Sequence, residues 1–286
     1  GPRRSKKETR GAMIPTTCLT KASTEVCFCI SSAEISPPKG GEQAGGGMNE
    51  TFSTCLRKGI RFLESASVPE ALISAEGLLS HVLNRPRLSL YLEPQVEINF
   101  ELEKQYQALL TQRSSRYPLQ YLMGTAPFRN SILEVGEGCL IPRPETEILV
   151  EALLSSIGRA EDGLYALDIG TGSGNIAVSL ALERPEWLIT ASDISAEALE
   201  YAKTNAIRNG VRDRIRLVQA DLFEGIRGPF DVIVSNPPYL TQAEMERLQP
   251  EIAFEPPIAL DGGDDGLCFY ERIARSAQSI LKREGF

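Results

Sequence analysis

The hydrophobic positions of residues 49–115 recur at helical spacing. One set runs over 52–63 and a second over 72–82, each with apolar residues at intervals of three or four. A third helix is predicted over 100–110. Three amphipathic helices of this length are typical of a small bundle, so we predict a helical domain over residues 48–125.

The spacing of the apolar residues changes over residues 126–142. Apolar and polar residues alternate over 128–135, glycines follow at 136 and 138, and a short apolar run occupies 139–141. Alternation around a glycine-containing turn is typical of a β-hairpin. We therefore predict a hairpin linker over residues 126–142.

From residue 164 onward, short apolar runs alternate with helical patterns. The predicted strands are 164–169, 187–192, 215–220 and 230–235, and the predicted helices are 145–157, 176–183, 196–209 and 271–281. Such alternation predicts an α/β fold with a parallel, doubly wound, Rossmann-like sheet over residues 143–286.

Residues 1–47 have no such periodicity. They contain Pro and Gly runs and carry seven Lys and Arg residues against four Glu. We expect this stretch to be disordered. Met48 directly follows three glycines and opens the helical pattern, so our hypothesis is that 1–47 is a non-native leader; a transit peptide is the alternative. Folding after deletion of 1–47 would support the first hypothesis.

The charge and composition of the chain exclude several classes of protein. The net charge is −8, which argues against a nucleic-acid-binding protein. No apolar run approaches the roughly 18–20 residues of a membrane span. The single His and six scattered Cys form no repeated ligand pattern, so neither a metal site nor His-based catalysis is expected. A soluble protein is expected.

A glycine-rich loop follows the first predicted strand of the sheet. It reads Asp168-Ile-Gly170-Thr171-Gly172-Ser173-Gly174. Glycines at a strand-to-helix turn let the backbone approach a nucleotide closely. The loop alone could also be a variant dinucleotide fingerprint or a purely structural turn. The acid two residues before Gly170 makes it resemble motif I of the class I S-adenosylmethionine methyltransferases.

Acidic residues also end the next two predicted strands. Asp193 lies 23 residues after Gly170, where a ribose-binding carboxylate is expected. Asp221 and Leu222 follow the third strand, at the edge expected to contact adenine. An alternative for Asp193 is a helix N-cap.

The most specific motif, Asn236-Pro237-Pro238-Tyr239, follows the fourth strand. Two prolines remove two N–H donors and fix the backbone, which leaves carbonyl oxygens free to accept hydrogen bonds. With the Asn236 side chain and the Tyr239 ring, this set suits a planar –NH₂ group. It predicts methylation of an amide or amino nitrogen, with positioning supplying much of the rate.

Together these segments resemble the release-factor glutamine methyltransferases, the HemK-like protein-(glutamine-N5) methyltransferase family. The resemblance covers about residues 49–286. It is carried by 118–124, 140–147, the motif I loop, 236–239 and 255–267.

The resemblance implies a fold, a substrate and a set of site residues. The family has a helical N-terminal domain, a hairpin linker and a seven-stranded methyltransferase domain. Its substrate is the Gly-Gly-Gln loop of peptide-chain release factors, which implies a cytoplasmic enzyme, here expected to be a monomer. Residues 236–239 would hold the glutamine amide, and Asn236 would also contact S-adenosyl-L-methionine. Phe128, Arg143 and Glu145 would wall the site, although the last two could equally be helix-start charges. Many members have Trp where Leu222 stands.

Two other functions stay open on the sequence. A DNA N6-adenine or N4-cytosine methyltransferase uses a similar Pro-Pro motif, but it needs base flipping and a basic recognition segment, whereas residues 48–286 carry a net charge of −11. A non-catalytic cofactor-binding module is the second alternative. The family's sheet has about three strands more than this chain encodes, so we expect a truncated methyltransferase domain with 230–235 as an unprotected, aggregation-prone edge.

Overall fold

The computed structural model describes residues 50–157 and 163–286, so the expected leader lies outside the described residues. The N-terminal part is helical. Its helices are α1 (Phe52–Ser65), α2 (Ala71–Leu83), α3 (Ser89–Leu92), α4 (Phe100–Ser114) and α5 (Leu119–Met123). A two-residue strand β1 (Glu50–Thr51) pairs antiparallel with β2 (Glu97–Ile98) beside them.

Polar side chains fix where the long helices begin. Thr51 accepts a hydrogen bond from the Thr54 N–H at the start of α1, and Asn99 accepts one from Leu102 at the start of α4. The apolar faces predicted from the sequence meet in one core, in which Leu63, Leu78 and Leu79 are fully buried. No helix in the described parts of the chain is long and apolar enough to cross a membrane.

The hairpin forms, but its second strand is not the predicted one. Strand β3 (Thr125–Phe128) pairs antiparallel with β4 (Ser131–Glu134), and the chain reverses at Arg129 and Asn130. Residues 139–141, predicted as a strand, are irregular. The reversal is held at Arg129, whose N–H donates to Glu147 and whose guanidinium pairs with Glu183 and Glu151.

The predicted parallel sheet is confirmed. Its strands are β5 (Tyr165–Ile169), β6 (Leu188–Asp193), β7 (Ile215–Gln219) and β8 (Val232–Ser235), and their spatial order is β7-β6-β5-β8 with every pair parallel. The remaining helices are α6 (Pro144–Ile157), α7 (Asn175–Glu183), α8 (Ala196–Arg208), α9 (Gln242–Met245) and α10 (Cys268–Ala277). The main core lies between this sheet and its helices and contains the fully buried Trp187.

The strand order creates a crevice beside β5. The chain moves outward from β5 to β6 and β7, then returns to place β8 on the other side of β5. Ligands of open α/β sheets bind at the carboxyl ends of the strands where the order reverses in this way. The loops after β5, β6, β7 and β8 are therefore the expected site.

The expectation of an unprotected edge at β8 is wrong for its first part. Helix α10 ends at Ala277, earlier than predicted, and the chain turns back along this edge. The Phe230 N–H donates to the Ile280 carbonyl (2.7 Å), and the Ile233 N–H donates to the Phe286 carbonyl (2.9 Å). The C-terminal residues thus occupy backbone groups that would otherwise invite another strand.

Candidate active site

A single cavity opens at the carboxyl ends of β5, β6, β7 and β8 and collects most of the predicted site residues. Those that line it are Arg143, Gly170, Thr171, Gly172, Ser173, Asp193, Asp221, Leu222, Asn236, Pro237 and Pro238. They come from five separate stretches of sequence, and the sheet topology brings them together.

The β5–α7 turn forms the floor of the cavity. Gly170 and Gly172 have φ of +69° and +56°, and a Cβ built on either would meet no other atom within 4 Å. The left-handed backbone and the open space above it favour glycine at both positions. The turn is held by the buried Asn205, whose amide donates to the Ser173 carbonyl (2.9 Å).

Asp168 lies beneath this turn and is fully buried, so it supports the cavity without lining it. Its Oδ2 accepts hydrogen bonds from the Thr171 hydroxyl (2.5 Å) and the Ala177 N–H (3.2 Å). Within the described residues, Oδ1 is buried without a hydrogen-bond partner. Burial raises the pKa of this carboxyl to about 7, despite the opposing effect of the two hydrogen bonds.

Asp193 ends β6 and faces the same turn. Its carboxylate accepts from the Gly172 N–H (2.8 Å) and the Ser195 N–H (2.9 Å). Burial raises its pKa. The N-cap of α8 is Ser195, which accepts from Ala198, so the alternative of Asp193 as the N-cap is wrong. Two hydrogen bonds leave acceptor capacity on the carboxylate.

The far end of the cavity is formed by the β7 loop and α10. Leu222 adopts a left-handed backbone with φ of +51°, which is unusual for a residue with a branched side chain. Asp221 pairs with Arg272 of α10 (2.9 Å), and this arginine lies over the Phe269 ring. Phe269 and Arg272 also line the cavity, although neither was predicted as a site residue.

Asn236 stands at the β8 end, where it is oriented by α6. Its Nδ2 donates to the hydroxyl of Thr146 (3.2 Å), which leaves its Oδ1 available as an acceptor. The neighbouring Ser235 hydroxyl donates to the Ile169 carbonyl (2.8 Å) and ties the end of β8 to β5. Pro237 is buried in the cavity wall.

Besides Asp168, four predicted site residues do not line the cavity. Phe128 is 1% exposed inside the main core, so its expected place in the wall of the site is wrong. Gly174 packs its backbone against α8, where a Cβ would lie 3.1 Å from Ala202. Glu145 is exposed in the first turn of α6, and the Tyr239 ring is 52% exposed outside the lining.

Two further residues support the site and were missed by the sequence reasoning. Thr146 orients Asn236, and Glu255 accepts hydrogen bonds from the Ile141 N–H (3.0 Å) and the Arg143 guanidinium. Both fall in segments that carried the family resemblance, which was the only signal available for them.

Comparison with known proteins agrees with this architecture. Residues 144–255 match the family described as the Methyltransferase small domain, and residues 54–124 match the PrmC N-terminal domain. A release factor glutamine methyltransferase of Chlorobaculum tepidum is 40% identical over 80% of this chain and 81% of its own length. Those of Streptococcus pneumoniae and Geobacter sulfurreducens are 44% and 40% identical, over 67% and 79% of this chain and 68% and 78% of their own.

The parallel sheet, the glycine-rich turn after its first strand and the matched domain define a class I methyltransferase. The helical N-terminal match and the level of identity then decide the family. The chain belongs to the release factor glutamine methyltransferase family.

Proposed function

We propose that this chain transfers a methyl group from S-adenosyl-L-methionine to the side-chain amide N5 of the glutamine in the Gly-Gly-Gln loop of peptide-chain release factors. The observation that carries the proposal is the placement of the Asn236-Pro237-Pro238 segment and the glycine-rich turn in one cavity. The relatives named for this reaction supply the substrate class.

The residues of the cavity fit this cofactor. The open space above Gly170 and Gly172 leaves room for its methionine and ribose portions, and the Asp193 carboxylate keeps lone pairs for the ribose hydroxyls. Leu222 and Asp221 would border the adenine. Asp168 does not line the cavity but supports the turn from beneath, through its hydrogen bonds with Thr171 and Ala177.

When bound, the cofactor supplies a methyl group activated by the positive charge on its sulfur. A glutamine amide nitrogen is a weak nucleophile because its lone pair is delocalised. Asn236 Oδ1 and a backbone carbonyl at Asn236 or Pro237 would each accept one N–H of the amide and return electron density to the nitrogen. Pro237 and Pro238 have no N–H of their own to compete for these carbonyls. Once methylated, the nitrogen carries a positive charge and is acidic enough to release one of its two protons, so the site needs orientation more than a general base.

The other parts of the chain have separate roles in this proposal. The helical region up to residue 125 recognises the release factor, 126–142 links it to the methyltransferase region, and 143–286 carries the reaction. Tyr239 and Glu145, both exposed, would meet the protein substrate outside the cavity. The enzyme would act as a monomer in the cytoplasm, where its substrate works.

The DNA-methyltransferase alternative is not favoured. The relatives compared above are release factor methyltransferases, and residues 48–286 carry a net charge of −11, which disfavours binding to the DNA backbone. A non-catalytic binding module has no specific observation in its support.

Replacing Asn236 tests the proposed chemistry. Asn236→Ala removes the acceptor held by Thr146, so we expect kcat for methylation of a release factor to fall about 100-fold or more, as for a misplaced reactive group. The affinity for S-adenosylmethionine, measured by calorimetry, should change much less. Asn130→Ala, at the exposed hairpin turn, is the control and should match the unaltered protein. Equal activity of the two variants would contradict the proposed role of Asn236 as an acceptor for the glutamine amide.

A further inference from the structure

One short segment touches both the helical region and the wall of the cavity. Residues 251–255, here called the bridging segment, lie between α9 and the cavity-lining residues Pro256 and Ile258. Along five residues, three side chains make contacts outside the segment: Glu251, Phe254 and Glu255.

Glu251 holds the segment to the helical region. Both of its oxygens are engaged by Arg116, at 2.7 Å from Nε and 2.6 Å from a terminal nitrogen, and Oε1 also accepts from Arg113 (3.0 Å). Arg113 is itself buried and donates to Ser74 of α2. Burial alone would raise the pKa of Glu251, but the hydrogen bonds from Arg116 and Arg113 outweigh it and hold the pKa at about 2.

The middle of the segment packs on the same region. The Phe254 ring packs edge-on against the ring of Tyr117, which lies in the loop between α4 and α5, with 5.1 Å between centroids. The Tyr117 hydroxyl in turn donates to Glu137 (2.7 Å), in the irregular stretch that leads to the cavity. Aromatic contacts of this edge-on geometry add stability beyond that of the apolar area they bury.

Glu255 holds the other end to the cavity wall. It is 3% exposed, and its two oxygens accept from the Ile141 N–H and the Arg143 guanidinium. A buried carboxylate without partners is strongly unfavourable, so these two donors are required where Glu255 lies. Conversely, Glu255 is the group that fixes Arg143, which lines the cavity.

From these contacts we propose that the bridging segment couples the helical region to the substrate end of the cavity. Glu255 is a positioning residue that acts through Arg143, and Glu251 sets the segment's place on the helical region. The proposal rests on the proposed function: docking of a release factor on the helices would then be transmitted to the part of the site that receives its glutamine.

The test compares Glu251→Gln, Glu255→Gln and the exposed control Glu246→Gln in the full chain. With a release factor as substrate, Glu251→Gln should raise KM with kcat nearly unchanged, and Glu255→Gln should lower kcat about tenfold or more. S-adenosylmethionine affinity should stay within about twofold in both, because neither residue contacts the glycine-rich turn. The double variant Glu255→Gln/Arg143→Gln should be no worse than Arg143→Gln alone, since both changes remove one interaction.

A readout independent of activity separates failure of this inference from failure of the proposed function. The Ile141 N–H is bonded to Glu255, so Glu251→Gln should accelerate its hydrogen exchange if the two ends of the segment are coupled. Exchange equal to that of Glu246→Gln, or multiplied losses in the double variant, would overturn the inference. Inactivity of the unaltered chain on release factors would count against the proposed function alone, and the exchange result would still decide the coupling.

Discussion

At the residue scale, the glycines of the β5–α7 turn matter for the space that they leave. Gly172 combines a left-handed backbone with open space where a Cβ would stand, and its N–H is bonded to Asp193. The same residue therefore shapes the cavity and orients the carboxylate proposed to bind ribose. A side chain here would act on ligand binding as well as on folding.

Gly172→Ala should weaken S-adenosylmethionine binding at least tenfold, because a methyl group would enter the proposed cofactor space. It should also cost about 1–2 kcal/mol of stability through the left-handed backbone. Gly210→Ala is a matched control, with φ of +68°, equal open space and a position outside the cavity. We expect similar losses in thermal stability but an unchanged binding constant for Gly210→Ala. Equal binding by both variants would contradict the cavity assignment.

The raised pKa of Asp168 predicts that the stability of the folded protein depends on pH. Its pKa is raised to about 7 in the folded protein, whereas an unfolded Asp titrates near its ordinary value of about 3.9. The folded state therefore binds this proton more tightly, and the associated stability is present below about pH 4 and lost as the pH rises through 7.

Asp168→Asn removes this titration while keeping an oxygen that can accept from Thr171. In chemical denaturation between pH 4 and pH 8, the free energy of unfolding of the unaltered protein should fall relative to that of the variant as the pH rises. Parallel curves for the two proteins would show that Asp168 does not titrate in this range.

At the scale of elements, the first turn of α6 connects the linker to the reaction centre. It brings Thr146, which is 4% exposed, to the side chain of Asn236 on the loop after β8. Two segments separated by 90 residues thus define one hydrogen bond in the site. The bond determines which end of the Asn236 amide is free.

Thr146→Val keeps the shape of this residue but removes the hydroxyl, so Asn236 loses the partner that orients it. We expect kcat to fall about tenfold, in line with a lost hydrogen bond of roughly 1.4 kcal/mol, with little effect on cofactor affinity. Thr146→Ser restores a hydroxyl and should recover most of the activity. Failure of serine to improve on valine would assign the effect to packing instead.

The site residues show which parts of a functional site can be predicted from a sequence. The roles proposed for Asn236, Asp193 and the glycine-rich turn depend on residue type and local spacing, so they could be proposed from the sequence; the structure adds that these residues line one cavity. The roles of Thr146 and Glu255 depend on contacts between distant segments, which no local pattern encodes.

The wrong predictions for Phe128 and for the hairpin turn also have physical reasons. Phe128 was expected in the cavity wall, but a four-residue strand does not reveal which of its faces meets the core. The hairpin turn was expected at the glycines near 136–138. The structure instead turns at Arg129, where ion pairs with Glu183 and Glu151 stabilise the reversal.

At the scale of the whole molecule, residues 280–286 lie along one edge of the sheet. The Lys282 N–H donates to the Phe230 carbonyl and the Phe286 N–H to the Asp231 carbonyl (2.8 and 2.9 Å). The Ile233 N–H is occupied by the Phe286 carbonyl. These bonds cover the first part of the β8 edge, which an additional strand could otherwise join.

Deleting residues 282–286 should therefore promote self-association, because it frees the backbone groups of Phe230, Asp231 and Ile233. Light scattering during storage at fixed concentration should rise well above that of the unaltered protein. Lys282→Ala removes the ion pair with Asp231 and the contact with the Tyr165 ring but keeps the backbone bonds, so it should remain as soluble as the unaltered protein. Unchanged scattering after the deletion would contradict this role of the C-terminal residues.

The most direct test of the account is transfer of tritiated methyl from S-adenosylmethionine by the full chain to three acceptors. These are a purified release factor, the same factor with its loop glutamine replaced by alanine, and duplex DNA. We predict label in the first acceptor and none in the other two. Label in the alanine variant or in DNA, or none in the unaltered factor while cofactor binding persists, would contradict glutamine methylation by this protein.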